Sequence, residues 1–445
     1  MSEIADIERD TDELVEESQR AALRLANADE ATRDDALRSI ADALRENETE
    51  ILEANARDVE AAEEMLSRGE YAQALVDRLK LDAAKLDDIA GMVESVAEQE
   101  DPLGRTLAAR ELDEGLELYR VSVPIGVVAT VFESRPDALV QIAALALKSG
   151  NAVILKGGSE ASESNRVLHR VIREATADLP EGWAGLVEAH EEVDRLLERD
   201  DAVDLVMPRG SSEFVSHIQN NTQIPVLGHT EGICHVYVDD DADLEMAADI
   251  AFDAKVQYPA VCNAVETLLV NESVAADLLP DLVDRYEAAG VELRGDEATR
   301  EFVDVGAATD DDWDTEYGDL ELSIKLVDDV YEAVEHVNAH GSKHTESVVT
   351  EDRAAARAFI TGIDAASVFH NASTRFADGY RYGLGAEVGI STGKIHARGP
   401  VGLEGLTTYK YYLEGDGHLV ASYSGEDALP YTHRELDAEW TFDDR

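Results

Sequence analysis

Two cysteines occur in these 445 residues, Cys234 and Cys262, and a thiolate is the most nucleophilic side chain a protein carries near neutral pH. Cys262 stands in Tyr258-Pro259-Ala260-Val261-Cys262-Asn263-Ala264. Pro259 and Asn263 break strand periodicity there and leave a loop whose amide N–H groups are free to donate. Nucleophilic attack is the chemistry such a thiol supports, with those N–H groups available as donors. A small core residue is the other reading of a lone cysteine; Cys234, inside the apolar–polar run 233–238, fits it well. The pair matches neither a disulfide framework nor a CxxC metal site, so no metal ligand is expected.

Two further segments have the composition to hold anions. Lys156-Gly157-Gly158-Ser159 follows an apolar run and precedes a helical pattern, so its lysine and hydroxyl can face a ribose phosphate. Pro208-Arg209-Gly210-Ser211-Ser212 repeats that strand-to-helix setting. Each is also an ordinary helix N-cap sequence. The usual phosphate signatures fail: Gly383-Leu384-Gly385-Ala386-Glu387-Val388-Gly389 has its third glycine one residue late for GxGxxG, and no GxxxxGK[ST] is present. A bound nucleotide must use a less common loop.

The elements that must position these residues are legible as hydrophobic periodicity. Residues 1–104 carry helical spacing (Leu37, Ile40, Leu44, Ile51) and read as a helical layer leading into the first α/β domain. Residues 105–123 alternate with period two, and a slip of phase at Leu118–Tyr119 predicts a bulged ribbon strand. Residues 409–413 and 418–421 are expected to form a closing hairpin across Glu414-Gly415-Asp416-Gly417. The two stretches 105–123 and 406–421 would then make a ribbon that pairs between subunits or closes an edge. Over 124–231 strands (126–132, 152–156, 184–188, 203–207, 224–227) alternate with helices (137–148, 162–177). A second alternating set fills 262–395, with 229–262 crossing over, so a second α/β domain is expected across 232–395. Residues 422–445 are a weakly patterned acidic tail. Repeated βα units make parallel, doubly wound sheets that bind ligands at strand ends. The expected fold class is α/β, two doubly wound domains plus a β-ribbon.

Asp and Glu number 96 against 38 Lys and Arg, a net charge of −58, while 44% of residues are apolar. The apolar share excludes a disordered acidic chain. The charge excludes nucleic acid as a partner, because phosphate binding requires clustered Lys and Arg. An acidic surface poor in lysine and spread along the whole chain points to a salt-rich cytoplasm where self-repulsion is screened. There is no 18-residue apolar run for a membrane span, and the N-terminus is acidic where a signal peptide is basic. A cytoplasmic protein is expected.

The blocks Val123-Pro124-Ile125-Gly126, Phe132-Glu133-Ser134-Arg135-Pro136, residues 146–160, Gly232-Ile233-Cys234-His235, Val261-Cys262-Asn263-Ala264, Asn371-Ala372-Ser373-Thr374-Arg375-Phe376, residues 384–392 and His396-Ala397-Arg398-Gly399-Pro400 follow in order across about residues 10–420. In them the chain resembles the γ-glutamyl phosphate reductase family, of the aldehyde dehydrogenase fold, in a halophilic version. The resemblance implies NADPH-dependent reduction of L-glutamyl 5-phosphate to L-glutamate 5-semialdehyde with release of phosphate, in proline biosynthesis, through a thioester on Cys262. It implies that residues 1–104 lead into a cofactor-binding domain at 124–231, that 232–395 is the catalytic domain and that the ribbon serves a homo-oligomer, and it leaves room for transient contact with the glutamate 5-kinase that makes the acyl phosphate.

By the same resemblance, Ser134 falls where oxidising aldehyde dehydrogenases carry an oxyanion-hole Asn, and His229 where they carry the Glu that activates water. Losing that base fits a reductase, which must keep water from its acyl-enzyme. Proton transfer and a structural role both stay open for His229. Ser159 replaces the Glu with which NAD-using relatives chelate the adenosine ribose, and with Lys156 it favours NADPH. Lys156, Gly157, Gly158, Ser159, Gly210 and Ser211 are expected around the cofactor. Glu316 either meets the nicotinamide ribose or is an exposed loop carboxylate. Buried anions must be paired, so Arg135, Arg375 and Arg398 are expected on the substrate's phosphate and α-carboxylate. Two readings compete: an aldehyde-oxidising dehydrogenase, which would turn over semialdehyde without phosphate, and an idle scaffold, which has no need of Cys262 or the strand-end loops.

Overall fold

The computed structural model describes residues 11–69, 71, 73–133, 135–210 and 212–441. Among them, five helices form the N-terminal layer: Thr11–Leu25, Glu30–Glu46, Glu48–Ser67, Gln73–Leu79 and Ala83–Ala97. Asp29 and Asp82 cap two of these, their side chains accepting the N–H of Thr32 and Lys85. The apolar stripe Leu37, Ile40 and Leu44 is buried in one core with the strand Val127–Phe132 and the helix Pro136–Lys148. Lys148, at the end of that helix, is fully buried and bonds Asp34 at 2.7 Å and the Ala97 carbonyl at 3.1 Å. A paired buried ammonium thus ties the layer to the first sheet.

That sheet is parallel, in the order Ala184–Leu186, Ala152–Lys156, Val127–Phe132, Leu205–Arg209. Every residue of its two central strands is buried, as strands covered on both faces require. Residues 224–227, expected as a further strand, make a single bridge from Val226 to Val206. Pro225 has no N–H to extend the ladder.

A second, seven-stranded sheet runs Gly306–Ala307, Glu292–Gly295, Glu321–Val327, Val265–Asn271, Cys234–Val238, Thr345–Val349, Ser367–His370, with every neighbouring pair parallel. Cys234–Val238 is therefore an interior strand and not part of a crossing segment. The helix Leu244–Val256 then carries the chain back toward Cys262.

The ribbon is antiparallel, in the order Thr407–Glu414, Leu116–Pro124, Thr106–Asp113, Arg434–Glu435. Its register shifts fall between Thr106 and Ala108 and between Glu111 and Asp113, not at Leu118–Tyr119. The apolar slip misled because Leu116–Pro124 lacks a strict buried–exposed alternation, so its pattern carries little register information. The expected closing hairpin does not form. Thr407–Glu414 pairs along its whole length with Leu116–Pro124, and the chain then enters a 3₁₀ turn at Val420–Tyr423. From the acidic tail, Arg434–Glu435 adds an edge pair, with Arg434 on Glu111 at 2.7 Å. Among the described residues, no helix is long and apolar enough to cross a membrane.

Candidate active site

Cys262 is half-buried in the loop before Val265–Asn271, so it projects from the amino ends of the second sheet. Arg209 and Lys156 close two strands of the first sheet at their carboxyl ends. The second sheet thus contributes its amino end to the site and the first sheet its carboxyl end.

Gly232 makes the placement of Cys262 possible. A Cβ there would overlap the Cys262 carbonyl and Cα, so the two backbones meet only because residue 232 is glycine. The Gly232 N–H donates to Glu316, and the buried Cys234 thiol donates to the Cys262 carbonyl at 3.2 Å. On the other side Asn263 donates to the Ala377 carbonyl at 2.8 Å. The Cys262 loop is held from both flanks.

Burial first, then the carboxylates of Glu316 and Glu387, push the Cys262 thiol up to about 12; Arg209 and the residue's own N–H pull the other way. At rest the sulfur keeps its proton near neutral pH. Burial also raises both carboxylates, and Glu387 accepts the Gly379 N–H at 2.8 Å. Arg209 lies among Arg135, Glu387 and Cys262, and its Nη1 is buried with no hydrogen-bond partner among the described residues. Arg375 is buried, donates from Nε to Gln257 at 2.9 Å, and feels the Cys262 sulfur.

Two imidazoles complete the surround. His229 donates from Nδ1 to the Ile390 carbonyl at 3.1 Å, which leaves the Nε2 lone pair open. Burial chiefly, with Arg209 adding to it, holds this ring below its ordinary pKa and so neutral. Burial and then His229 pull His344 down to about 3; its Nδ1 meets Thr345 Oγ1 at 2.8 Å. The two rings touch edge to face, centroids 5.2 Å apart.

Of the expected site residues, Ser134 and Ser211 lie outside the described residues. Arg135 and Arg375 come to the thiol's surroundings. Arg398 is held elsewhere: it bonds Asp364 at 3.0 Å, a carboxylate it shares with Lys394, and it lines a cavity with Arg105, His396 and Glu404. Glu316 is half-buried and anchored by Gly232, not an exposed loop carboxylate. Lys156 is buried, and among the described residues it has no hydrogen-bond or ion-pair partner; burial pulls its ammonium down while Glu160 and Glu133 act on it from further off. Gly157 packs on Asn165, Ser159 is exposed, and the Glu160 carboxylate folds back over Gly158. The loop that lacks a carboxylate at 159 carries one at 160. Gly210 is exposed just after Arg209.

Arg209, Glu387 and His344 escaped the sequence reading. The first two stand inside the second anion loop and the failed glycine motif, and a charged residue within a glycine-containing loop was the available signal. His344 precedes a buried strand and carried none.

Residues 3–315 match the aldehyde dehydrogenase family. Over 433 residues the chain is 71% identical to a gamma-glutamyl phosphate reductase from Natronomonas pharaonis, covering 97% of this chain and 99% of that one. It is 53% identical to the gamma-glutamyl phosphate reductase of Methanococcoides burtonii, covering 97% and 98%. Among solved structures, the gamma-glutamyl phosphate reductase of Thermotoga maritima superposes with a TM-score of 0.89 at 43% identity, covering 92% of this chain and all of that one. A glyceraldehyde-3-phosphate dehydrogenase from Methanocaldococcus jannaschii, complexed with NADP, shares the fold at a TM-score of 0.64 and 17% identity, over 91% of this chain and 94% of that one.

Proposed function

Because the chain belongs to the aldehyde dehydrogenase family and, within it, to the gamma-glutamyl phosphate reductases, we propose that it reduces L-glutamyl 5-phosphate to L-glutamate 5-semialdehyde, a step of proline biosynthesis, through a thioester on Cys262. The observation that carries this reading is one half-buried thiol flanked by a neutral imidazole with an open lone pair and by Arg209, whose buried Nη1 has no partner among the described residues.

A thiol with its pKa near 12 needs a base. His229 takes the Cys262 proton on Nε2, and the thiolate attacks the acyl carbon. The carbon–oxygen bond to phosphate breaks, His229 passes the proton to the departing phosphate, and a thioester remains. Arg209 and Arg375, with Arg135 beside them, receive the phosphate and the α-carboxylate. Glu387 offers the α-ammonium its counter-charge. The Cys262 N–H supports the oxyanion, with Ser134 as its expected companion.

An NADP cofactor suits the residues present, because Lys156 is a largely buried lysine with no hydrogen-bond or ion-pair partner among the described residues, and an anion would pair its ammonium. Lys156, Gly157, Gly158 and Ser159 would hold its adenosine end, Gly210 and Ser211 its phosphates, and Glu316 its nicotinamide ribose. When bound there, the nicotinamide would supply hydride for the reduction. After the aldehyde departs, the Cys262 thiolate regains a proton from solvent. The ribbon, whose edge strand exposes Tyr409, Tyr411 and Leu413, is the surface assigned to self-association. The net charge of −58 supports work in a salt-rich cytoplasm.

The test is the reverse reaction. Glutamate semialdehyde and NADP⁺ should yield NADPH only when phosphate is added, and Cys262→Ala should abolish this while still binding NADPH by fluorescence titration. Turnover without phosphate, or turnover retained in Cys262→Ala, overturns the assignment.

A further inference from the structure

We infer that His229, Cys262 and His344 form a binding site for a thiophilic divalent cation, zinc foremost. Each side chain brings one donor atom, and these atoms lie within 4.8 Å of one another. Ligand atoms around a tetrahedral zinc are roughly 3.3–3.8 Å apart, so the cluster needs to close by about 1 Å. A rotation of the Cys262 side chain covers that distance.

The two histidines are already prepared. The bond from His229 Nδ1 to the Ile390 carbonyl fixes the tautomer and presents Nε2, as outer-shell bonds do for zinc-binding histidines. His344 is 1% exposed, its Nδ1 is engaged with Thr345 Oγ1, and its Nε2 is buried with no partner among the described residues. A buried ring nitrogen without a partner is costly, and the reaction described above makes no use of it. A metal supplies what that atom lacks. Two imidazoles and one thiolate, with a fourth position left to water, make a complete open zinc site. Cys234 is not a ligand, since its thiol donates to the Cys262 carbonyl and faces Nδ1 of His344 at 3.8 Å.

As the ion binds, the sulfur–metal bond forms, the S–H bond breaks, and the proton leaves to solvent; no electron is transferred. Occupation ties up the sulfur and stops turnover, a consequence that rests on Cys262 as nucleophile, whereas the binding itself does not.

Cobalt(II) added to the full-length protein is the probe, because a cobalt–thiolate bond gives a near-ultraviolet charge-transfer band. The band is expected in the unmodified protein and in Cys234→Ser, and displaced by zinc. It should be absent in Cys262→Ser, whose fold is checked by NADPH binding. In His344→Asn, zinc should bind about 100-fold more weakly or worse, since outer-shell losses alone cost 10- to 100-fold. Zinc inhibition reversed by chelator would establish the consequence for turnover. No cobalt band, a band surviving Cys262→Ser, a band lost in Cys234→Ser, or zinc affinity unchanged by His344→Asn overturns the site. Failure of the reductase reading would leave the band intact, so the two ideas fail separately.

Discussion

In the resting site, burial and two carboxylates work against ionisation of Cys262, so the thiol should react with alkylating agents far more slowly than an ordinary cysteine. With the thiol pushed up to about 12 from an ordinary value of 9.0, the thiolate fraction at pH 7 is about 10⁻⁵, against about 10⁻² for the ordinary thiol. That is a thousandfold deficit. A more basic thiolate is a better nucleophile, and with a Brønsted slope of about 0.4–0.5 this returns roughly 15- to 30-fold. The net expectation is alkylation of Cys262 about 30- to 70-fold slower than that of a small free thiol at the same pH. The sign is fixed by the causes: negative neighbours and burial disfavour the thiolate, so reactivity grows as pH rises, by about tenfold per unit from pH 7 to 10 and without a plateau. Glu387→Gln removes one of the two carboxylate charges and should speed alkylation several-fold at pH 7. The assay is the second-order rate of iodoacetamide labelling of Cys262, read by peptide mass spectrometry on chelator-treated protein without substrate or cofactor. A plateau below pH 9, or a rate at pH 7 equal to that of glutathione, would refute the reasoning. The thiol would then be activated at rest, and His229 would have no proton to take.

Two further outcomes follow from positions around that thiol. Glu160→Gln, by removing the carboxylate that acts on Lys156, should raise the ratio of kcat/KM for NADPH over NADH by about fivefold, or about 1 kcal/mol; an unchanged ratio in steady-state kinetics would separate Glu160 from the 2′-phosphate. Gly232→Ala forces a methyl into the Cys262 backbone. It should lower kcat by about 10²-fold through misplacement of the thiol and destabilise the fold by about 1–3 kcal/mol, as measured by turnover and by thermal melting; wild-type turnover would show that the two backbones are not tightly joined.

The ribbon and the site were legible to different depths for different reasons. Buried parallel strands such as Ala152–Lys156 read directly as continuous apolar runs, because both faces are covered. The ribbon was misread at Leu118–Tyr119, because a partly wet strand does not need strict alternation. Arg398 belonged to a block that resembled the family, yet Asp364, 34 residues away in sequence, holds its guanidinium.

From residue types and periodicity alone came the nucleophile candidate, the two anion loops, the parallel α/β class and the acidic surface, because each is written in contiguous residues. Tertiary structure alone decided the thiol's protonation, the donor of Arg209 left without a partner among the described residues, the anchoring of Glu316 by Gly232 and the meeting of His229 with His344. These depend on Coulomb interactions, burial and hydrogen bonds across large separations; His229 takes its tautomer from Ile390, 161 residues further on. A local pattern records which groups a chain owns. Only the folded packing sets the dielectric and the neighbours that decide which of those groups carries a proton and which has a donor to spare.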